Sequence, residues 1–474
     1  MKDLNLYILF PHIFFAIGVL LSVFIEMYSK NSAKILPGFS FVIFGISALL
    51  MQNLIDRKIL IFNSSFEVGG ISALLSSLFL TIGALVSLSS EKYLKKYEAN
   101  YGEFYLLLQN SILGMIVLVS ARDLFTLFLG LELMSISFYI LAGFNRKRLT
   151  SNEAAMKYFL LGSFATGFIV YGIAFIYGSS GTMNLITLKA NIANFIDKPL
   201  FLAGMLFLII GFSFKASLVP FHMWAPDVYQ GSPTLSSAFM STIGKAAAFG
   251  ILIVISLSEF SGKSLSLLQN FFYVASVLSM FFGAFTAIVQ NNIKRILAYS
   301  SIAHAGYIAI GLTAITVEAK SAAIFYLIAY TFMSFGAFIL ASIIEGKNES
   351  RLEIDNYIGL GKKYPYLAGI LSLFMFALAG IPPLAGFFGK YYVFLTAIEN
   401  GFIWLAILGI LSSAIGVYFY LKIVVYMYFK SGEFEEEIET DKNSILVATL
   451  SALIVIIIGA FPNLMLSIIQ KALS

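Results

Sequence analysis

Cysteine is absent from this chain of 474 residues, and charged side chains make up only 12% of it. Without a thiolate there is no disulfide, no cysteine-ligated iron–sulfur cluster and no cysteine nucleophile. The three histidines, His12, His222 and His304, lie on distant segments and are too few for a dedicated metal centre. Phosphate-binding and dinucleotide-binding glycine motifs are also missing. We therefore expect a chain that neither transfers electrons nor hydrolyses nucleotides by itself.

Hydrophobic residues, in contrast, make up 59% of the chain. Soluble domains have about twice this chain's share of charged residues, and the apolar runs here are long enough to cross a bilayer about 30 Å thick. The sequence predicts an all-α polytopic membrane protein of about 14 transmembrane helices. The predicted spans are 5–26, 35–52, 70–89, 103–120, 122–143, 155–177, 200–229, 233–258, 268–290, 295–314, 320–344, 364–398, 402–430 and 443–462.

Two of these spans are interrupted by proline. The seventh is cut at Pro220 and, we expect, again at Pro226, and the twelfth contains Gly-Ile-Pro-Pro-Leu-Ala-Gly from Gly380. Proline removes a backbone donor and clashes with the preceding turn. A plain kink explains either break alone, but two breaks five spans apart indicate an inverted repeat, and in transporters such breaks lie on the ion path.

The repeat suggests how a single membrane domain over 1–474 is divided. We expect N-terminal helices 1–3 over 1–102, a first repeat of helices 4–8 over 103–258, a second repeat of helices 9–13 over 268–430, and a C-terminal helix over 443–474.

Basic residues predict the orientation. Seventeen lysines and arginines fall in loops after odd-numbered helices and nine on the opposite side. Cytoplasmic loops carry the excess of basic residues. We therefore expect a bacterial inner membrane protein with both termini on the periplasmic side. The acidic run from Glu433 to Asp441 is interpreted as a solvated loop.

Four lysines fall inside predicted spans: Lys215, Lys245, Lys390 and Lys422. A lysine at the bilayer centre costs about 2.5–3.5 kcal/mol on insertion scales, so it normally faces a wet interior with a partner. Lys422 lies near a helix end, so snorkelling toward the headgroups is as good an interpretation of it as a place in the wet interior. One carboxylate, Glu132, lies in the middle of the fifth span.

A purely structural ion pair is the simplest alternative for these buried charges. It does not fit the count, because one acid cannot pair with three or more lysines. An amine that gains and loses a proton is what a proton relay requires, so the sequence favours a relay.

Other polar residues lie in or beside the same spans as these charges. His304 lies between the two lysine-bearing halves, where relay and packing are equally good interpretations. His222 and Trp224 follow the break at Pro220 near the expected membrane surface, and we expect Trp224 to be an interfacial anchor. Asp227 either caps the next helix or gates proton uptake, and capping is the favoured interpretation.

These residues stand in motifs that together resemble the antiporter-like membrane subunits of the proton-pumping NADH–quinone oxidoreductase, respiratory complex I. The motifs are KASLVPFHMWAPDVYQGSPT from Lys215, TIGKAAAF around Lys245, NIKRILAYSSIAHAGY from Asn292 and GIPPLAGFFGKYYVF from Gly380. The resemblance covers nearly the whole chain. It is closest to the subunit N branch, because Phe221–Thr234 resembles N, because Lys390 replaces the glutamate of M, and because the lateral helix of L is missing.

The resemblance implies roles for five residues. Glu132 and Lys215 match a buried pair that modulates the lysine's proton affinity, Lys245 matches the central relay lysine, His304 matches a relay position, and Lys390 matches the terminal residue. It also implies no cofactor in this chain, with FMN, iron–sulfur clusters and quinone in partner subunits. The implied partners are an adjacent antiporter-like subunit and small quinone-side membrane subunits, with no nucleic acid.

Three other functions are compatible with parts of the sequence. A subunit of a multisubunit Na+/H+ antiporter has the same expected fold and much the same buried charges. An inert scaffold would use those charges only for helix packing. A solute carrier would need a substrate pocket at the breaks, and the sequence indicates no solute.

Overall fold

The computed structural model describes residues 6–255, 262–347, 350–434 and 437–473. Lys2, residue 5 of the first predicted span, residues 256–258 of the eighth and residues 435–436 of the acidic run lie outside the described residues. Thirteen helices in the described part are long and apolar enough to cross a membrane, and a pair of half-helices makes the fourteenth crossing. The predicted all-α membrane fold is confirmed.

The N-terminal part and the first repeat contain eleven of the helices. They are α1 (Leu6–Tyr28), α2 (Ser32–Gln52), α3 (Gly70–Lys96), α4 (Glu103–Ser120), α5 (Leu124–Ala142), α6 (Leu149–Ser180), α7 (Leu185–Ala190), α8 (Pro199–Ala216), α9 (Trp224–Gly231), α10 (Thr234–Phe239) and α11 (Lys245–Ile255). Helices α8 and α9 form the broken seventh crossing, and a π-helical turn, Met240–Gly244, joins α10 to α11.

The second repeat and the C-terminal part contain the other nine. They are α12 (Gly262–Ile288), α13 (Ile293–Thr313), α14 (Val317–Ile344), α15 (Leu360–Lys363), α16 (Pro365–Ala379), α17 (Ala385–Glu399), α18 (Ile403–Tyr428), α19 (Lys442–Ala460) and α20 (Pro462–Leu473). Helices α16 and α17 form the broken twelfth crossing. The membrane windows of α13 and α14 are fully buried, so these two helices are the core of the molecule.

Polar side chains start several of these helices. Asp123 accepts hydrogen bonds from the backbone of Phe125 and Thr126 at the start of α5. Asn292 does the same for Lys294 and Arg295 at the start of α13. Such caps satisfy backbone donors that have no partner in the first turn, and they fix where α5 and α13 begin.

The loops meet on two opposite faces, as the predicted alternation requires. On one face, which we call the basic face, the Lys147 ammonium lies 2.7 Å from Glu98, and Lys92 donates to the carbonyl of Thr440 at 2.8 Å. These contacts join the loops that follow the third, fifth and thirteenth crossings, the loops predicted to lie together.

The opposite face carries a β-hairpin that the sequence analysis missed, so we call it the hairpin face. Strands β1 (Lys58–Ile61) and β2 (Phe66–Gly69) pair antiparallel. The strands have only four residues each, too short for an alternation signal. A buried ion pair between Arg122 and Glu67, 2.5 Å apart, fastens the hairpin to the start of α5.

The two broken crossings end their first half-helix in the same way. Helix α8 ends at Ser217 (φ 59°), and the N–H of Leu218 donates to the carbonyl of Ser213. Helix α16 ends at Gly380 (φ 88°), and the N–H of Ile381 donates to the carbonyl of Phe376. Both are Schellman caps. The breaks predicted from proline are confirmed in both repeats.

The second interruption predicted at Pro226 is wrong. Pro226 is the third residue of α9, which starts at Trp224. Backbone N–H groups in the first helical turn have no acceptor within the helix, so proline there removes no bond that the helix needs.

Candidate functional site

Lys215 lies in the last turn of α8 and is buried. Its ammonium donates to the hydroxyl of Tyr139 on α5 at 3.1 Å. The rings of Tyr139 and Tyr158 lie 5.1 and 5.5 Å from the ammonium. Two aromatic rings and one hydroxyl therefore surround this amine.

Glu132, expected among the buried charges, is half-buried. Its carboxylate accepts a hydrogen bond from the hydroxyl of Thr166 on α6 at 2.8 Å. Phe125, Leu129 and Ile136, on the same side of α5, are each at least 50% exposed. Glu132 therefore faces outward within an apolar surface of the subunit.

Within the described residues, no direct salt bridge joins Glu132 to Lys215. Thr166 and Tyr139 take the contacts that a direct pair would make, although the carboxylate is near enough to interact electrostatically with the ammonium.

Lys245 is the first residue of α11, directly after the π-helical turn, and is 1% exposed. Its ammonium donates to the backbone carbonyl of Ser301 at 2.6 Å and also to the Ser301 hydroxyl. Extra-residue π turns of this kind are frequent at functional sites. The burial excludes snorkelling for this lysine.

His304 lies one turn further along α13 and is held by two tyrosines. Its Nδ1 is 2.8 Å from the hydroxyl of Tyr326 on α14, and its Nε2 is 2.9 Å from the hydroxyl of Tyr420 on α18. The Tyr420 hydroxyl also bonds Ser300. A neutral imidazole donates through one nitrogen and accepts through the other, so both nitrogens are placed to pass a proton.

Lys390 lies on α17, beyond the break of the twelfth crossing. Its buried ammonium donates to the carbonyls of Leu378 (3.2 Å) and Ala379 (2.8 Å) at the end of α16, and to the hydroxyl of Ser413 (2.8 Å). The ring of Tyr307 lies 5.0 Å from it.

One face of α13 joins these groups. Ser301, His304 and Tyr307 follow each other at intervals of three residues, so they lie on one side of the helix. Ser301 contacts Lys245 at one end, and Tyr307 lies beside Lys390 at the other. The structure therefore brings Lys245, His304 and Lys390 into one row, whereas the described residues offer no direct hydrogen bond between Lys215 and Lys245.

The sequence analysis missed the four tyrosines and the serine that contact Lys215, His304 and Lys390. Tyr139, Tyr307, Tyr326, Tyr420 and Ser413 come from four different helices. Each lies in an apolar span of the sequence. The hydroxyl in such a span was the one signal of a polar contact, because a buried tyrosine normally needs a hydrogen-bond partner.

One prediction at the break in the seventh crossing is wrong. Trp224 is not an interfacial anchor: it is 2% exposed, stacks on Tyr158 with ring centroids 4.4 Å apart, and donates to the carbonyl of Phe214. His222, which follows the same break, is also buried, with its ring against Phe282. The side chains after the break pack into the protein.

Asp227 does not cap a helix. It forms ion pairs with Lys157 at 2.8 Å and with Arg295 at 3.1 Å. These three residues line a cavity of about 520 Å³ at the basic face. Burial raises the pKa of Asp227, but the hydrogen bonds and charges of Lys157 and Arg295 outweigh it and hold the pKa below its ordinary value.

Lys422 reaches the surface, as the snorkelling alternative predicts. Its ammonium donates to the carbonyl of Gln290 at 3.3 Å and to the side chain of Asn291 at 3.0 Å, both in the loop between α12 and α13. It takes no part in the row along α13.

Comparison with known proteins gives consistent similarities. A family described as NADH:quinone oxidoreductase/Mrp antiporter, TM, matches residues 121–416, the segment that contains all five predicted site residues. The chain is 41% identical over 99% of its length to NADH-quinone oxidoreductase subunit N of Trichlorobacter lovleyi, of which it covers 97%.

Solved structures agree. A chain of respiratory complex I from Thermus thermophilus matches with a TM-score of 0.83 at 30% identity, over 96% of this chain and 98% of that one. A chain of the Mrp complex from Dietzia sp. matches with a TM-score of 0.84 at 19% identity, over 98% of this chain and 96% of that one. At that identity the second similarity is one of fold alone.

Proposed function

The chain belongs to the subunit N family of NADH-quinone oxidoreductase, and from that premise we propose that Lys245, His304 and Lys390 carry protons along α13. The chain acts as an antiporter-like, proton-translocating membrane subunit of this complex, with other membrane subunits as partners. The Na+/H+ antiporter alternative is not favoured: the matching family includes Mrp antiporters, but the similar relatives at 38–41% identity are subunits N, and the similarity to the Mrp complex is one of fold.

The observation that carries the relay is the row from Lys245 through Ser301, His304 and Tyr307 to Lys390. Each member is buried and is a proton donor, an acceptor or both. Buried ionisable residues in a membrane segment are costly and mark proton pathways. Packing alone would not require a titratable group at each end of one helix face.

In this mechanism Lys215 and Glu132 set the charge state of the first segment. Lys215 is held by one hydroxyl and two rings, and Glu132 is held by Thr166 nearby. Movement of the carboxylate toward Lys215 favours the protonated amine, and movement away favours proton release.

The outward position of Glu132 also indicates where a partner subunit lies. A carboxylate facing lipid is expensive, and its neighbours on α5 and α6, such as Leu129, Ile136 and Phe164, are strongly exposed apolar residues. We place the adjacent antiporter-like subunit on this α5/α6 surface, where it covers Glu132.

We further propose that the basic face is cytoplasmic and that both termini lie on the periplasmic side, from the excess of basic loop residues. The ion-paired cavity at Asp227 then opens to the cytoplasm. Electron transfer, with FMN, iron–sulfur clusters and quinone, takes place in partner subunits, in keeping with a chain that has no cysteine.

Replacement of the central lysine tests the relay. Vesicles that contain the whole complex with Lys245→Ala should oxidise NADH with an artificial acceptor but should lose NADH-driven acidification, followed by quenching of a pH-sensitive dye. Lys245→Arg should also fail, because guanidinium does not release its proton. Lys422→Ala, at a lysine that only contacts a loop, is the matched control and should pump normally.

The scaffold alternative makes the opposite prediction. If Lys245→Ala or Lys245→Arg pumps as many protons per NADH as the unaltered complex, Lys245 serves packing and the relay is wrong. A complete loss of pumping in Lys422→Ala would equally contradict the assignment, because that lysine lies outside the row.

A further inference from the structure

A cavity of about 500 Å³ opens on the hairpin face between α2, α3, α14, α19 and α20. We call it the α20 cleft, because helix α20 forms one side of it. Its wall is mostly apolar and includes Leu74, Leu78, Ile328, Phe332, Met465 and Ile468. It shares no residue with the row along α13.

The α20 cleft is deep and runs parallel to the membrane helices. Thr81 is eleven residues beyond Gly70, where α3 starts on the hairpin face, and Ile328 is eleven residues beyond Val317, where α14 starts on the same face. At 1.5 Å per residue both lie about 17 Å deep. The cleft therefore reaches about half-way through a hydrocarbon core of about 30 Å.

The deep end offers little to a polar ligand. The hydroxyl of Thr81 is already used in a hydrogen bond to the carbonyl of Ser77 at 2.8 Å. Ile328 and Phe332 supply only carbon atoms beside it. A polar group placed here would lose its hydration without compensation, so the occupant of the deep end is a hydrocarbon chain.

The rim, in contrast, carries opposite charges. Asp56 follows the end of α2, and Lys471 lies near the end of α20, and both are exposed. Met465, Ile468 and Lys471 follow at intervals of three residues, so Lys471 lies on the side of α20 that faces the cleft. An anionic and a cationic side chain therefore flank the mouth of an apolar channel.

We propose that the α20 cleft binds one phospholipid whose headgroup carries both a phosphate and a primary amine. One acyl chain fills the channel between α3 and α14, the phosphate contacts Lys471, and the ammonium contacts Asp56. Cavities of about 300–1,000 Å³ with an apolar wall and a few placed polar groups are typical ligand sites. This assignment stands whether or not the proton relay is correct.

The bound chain also touches the back of a helix that carries relay partners. Tyr326 and Tyr330 of α14 lie beside the ring of His304. Ile328 and Phe332 come two residues after each of them, about 200° around the helix. The lipid thus packs against the side of α14 opposite to the one that holds His304.

Photolabelling of the purified whole complex tests the site. Liposomes contain phosphatidylethanolamine with a photoreactive group midway along one acyl chain, and labelled peptides are mapped by mass spectrometry. We expect label on α3, α14 and α20. Thr81→Trp fills the deep end and should reduce it at least about fivefold, since a filled cavity cannot take the chain. Leu453→Trp, on the exposed side of α19, should leave the label unchanged.

Changes at the rim test the headgroup and do not disturb the packed core. Lys471→Gln should reduce labelling by phosphatidylethanolamine, and a phosphatidylglycerol probe, which lacks the amine, should label the cleft less. Equal labelling by both probes overturns the amine assignment. Labelling that survives Thr81→Trp, or that a long-chain quinone removes, overturns the phospholipid site altogether.

Discussion

The two repeats hold their lysines at equivalent breaks by different means. In the first repeat Lys215 belongs to the helix that ends at the break, and its ammonium meets a tyrosine hydroxyl and two rings. In the second repeat Lys390 lies beyond the break and reaches back to two carbonyls at the end of α16 and to Ser413. Both ammonium groups lie near the negative end of a half-helix dipole.

The charges around the two lysines differ as well. Glu132 interacts electrostatically with Lys215 from a half-buried position that a partner subunit covers in our proposal. The hydrogen-bond partners described for Lys390 are all neutral oxygens. Fixed carbonyls cannot change their charge or move far, whereas a carboxylate on a subunit surface can do both. We infer that the first repeat is the adjustable half of the relay and the second the fixed half.

Among the changes that compare the two repeats, removal of the Glu132 charge should give the largest effect. Glu132→Gln keeps an acceptor for Thr166 but loses the negative charge, so Lys215 loses the countercharge described for it. A charged contact of about 1.4 kcal/mol corresponds to about a tenfold change in rate, and we expect at least that loss in NADH-driven pumping. Thr166→Val, which removes the hydroxyl and keeps the carboxylate, should cost much less. Equal pumping by Glu132→Gln and the unaltered complex would remove the distinction between the halves.

The caps of the two breaks provide a second, sharper contrast. A Cβ atom at Gly380 would lie 3.1 Å from the Cδ and Nζ atoms of Lys390, at a φ of +88° that side chains rarely adopt. Gly380→Ala should therefore displace the ammonium from its carbonyls and reduce pumping about fivefold, since a strained residue costs about 1 kcal/mol or more.

Ser217 is the matched control, since it caps α8 with φ 59° and already carries a side chain. Ser217→Gly should leave the position of Lys215 and the pumping rate close to normal. A similar loss in both variants would mean that the caps matter for helix ends in general and not for the lysine.

The crossings, the breaks and the candidate lysines follow from local signals. Long apolar runs predict helices whatever their neighbours, and proline breaks a helix by its own chemistry. The surroundings of the lysines do not follow, because Tyr139, Tyr420 and Ser413 reach them only through tertiary packing. The part of the lysines in proton transfer stays a prediction until it is measured.

The wrong expectation for Trp224 and the half-buried position of Glu132 also come from tertiary packing that the sequence does not show. Trp224 resembles an interfacial residue in sequence, but the turn after Pro220 carries it back onto Tyr158. Glu132 is central in its span, and a central position gives the depth in the membrane but not the direction in which a side chain points. Only the packing of α5 against its neighbours shows that Glu132 faces outward.

Removal of a single hydroxyl group should give a smaller difference in pumping between the two repeats. Tyr139→Phe removes the one described hydrogen-bond acceptor of Lys215, while Ser413→Ala leaves Lys390 with two carbonyls. A 3.1 Å hydrogen bond is a long one, worth about 0.7 kcal/mol net, so we expect about a threefold loss of pumping for Tyr139→Phe and less than about twofold for Ser413→Ala. A smaller loss for Tyr139→Phe than for Ser413→Ala in the vesicle assay would show that Lys215 is held more firmly than Lys390.

The smallest effect should come from Asp227, where the two repeats meet at the basic face through Lys157 of α6 and Arg295 of α13. Asp227→Asn should lower the stability of the complex by about 1 kcal/mol, because these ion pairs are partly exposed and screened by solvent. The pKa of Asp227 is lowered in the folded chain, so its stabilisation is complete above the ordinary pKa of about 3.9 and is lost only as the pH falls through the lowered value.

Thermal loss of the intact complex on native gels, measured from pH 5 to pH 8, checks this last expectation. The difference between Asp227→Asn and the unaltered complex should be constant over that range and should shrink in high salt, which screens exposed charges. Asp355→Asn is a suitable control, since its 4.0 Å pair with Lys430 is mostly exposed and should contribute almost nothing. A difference that changes between pH 5 and pH 8 would assign the effect to another titrating group, and the link between the repeats would then not depend on the Asp227 carboxylate.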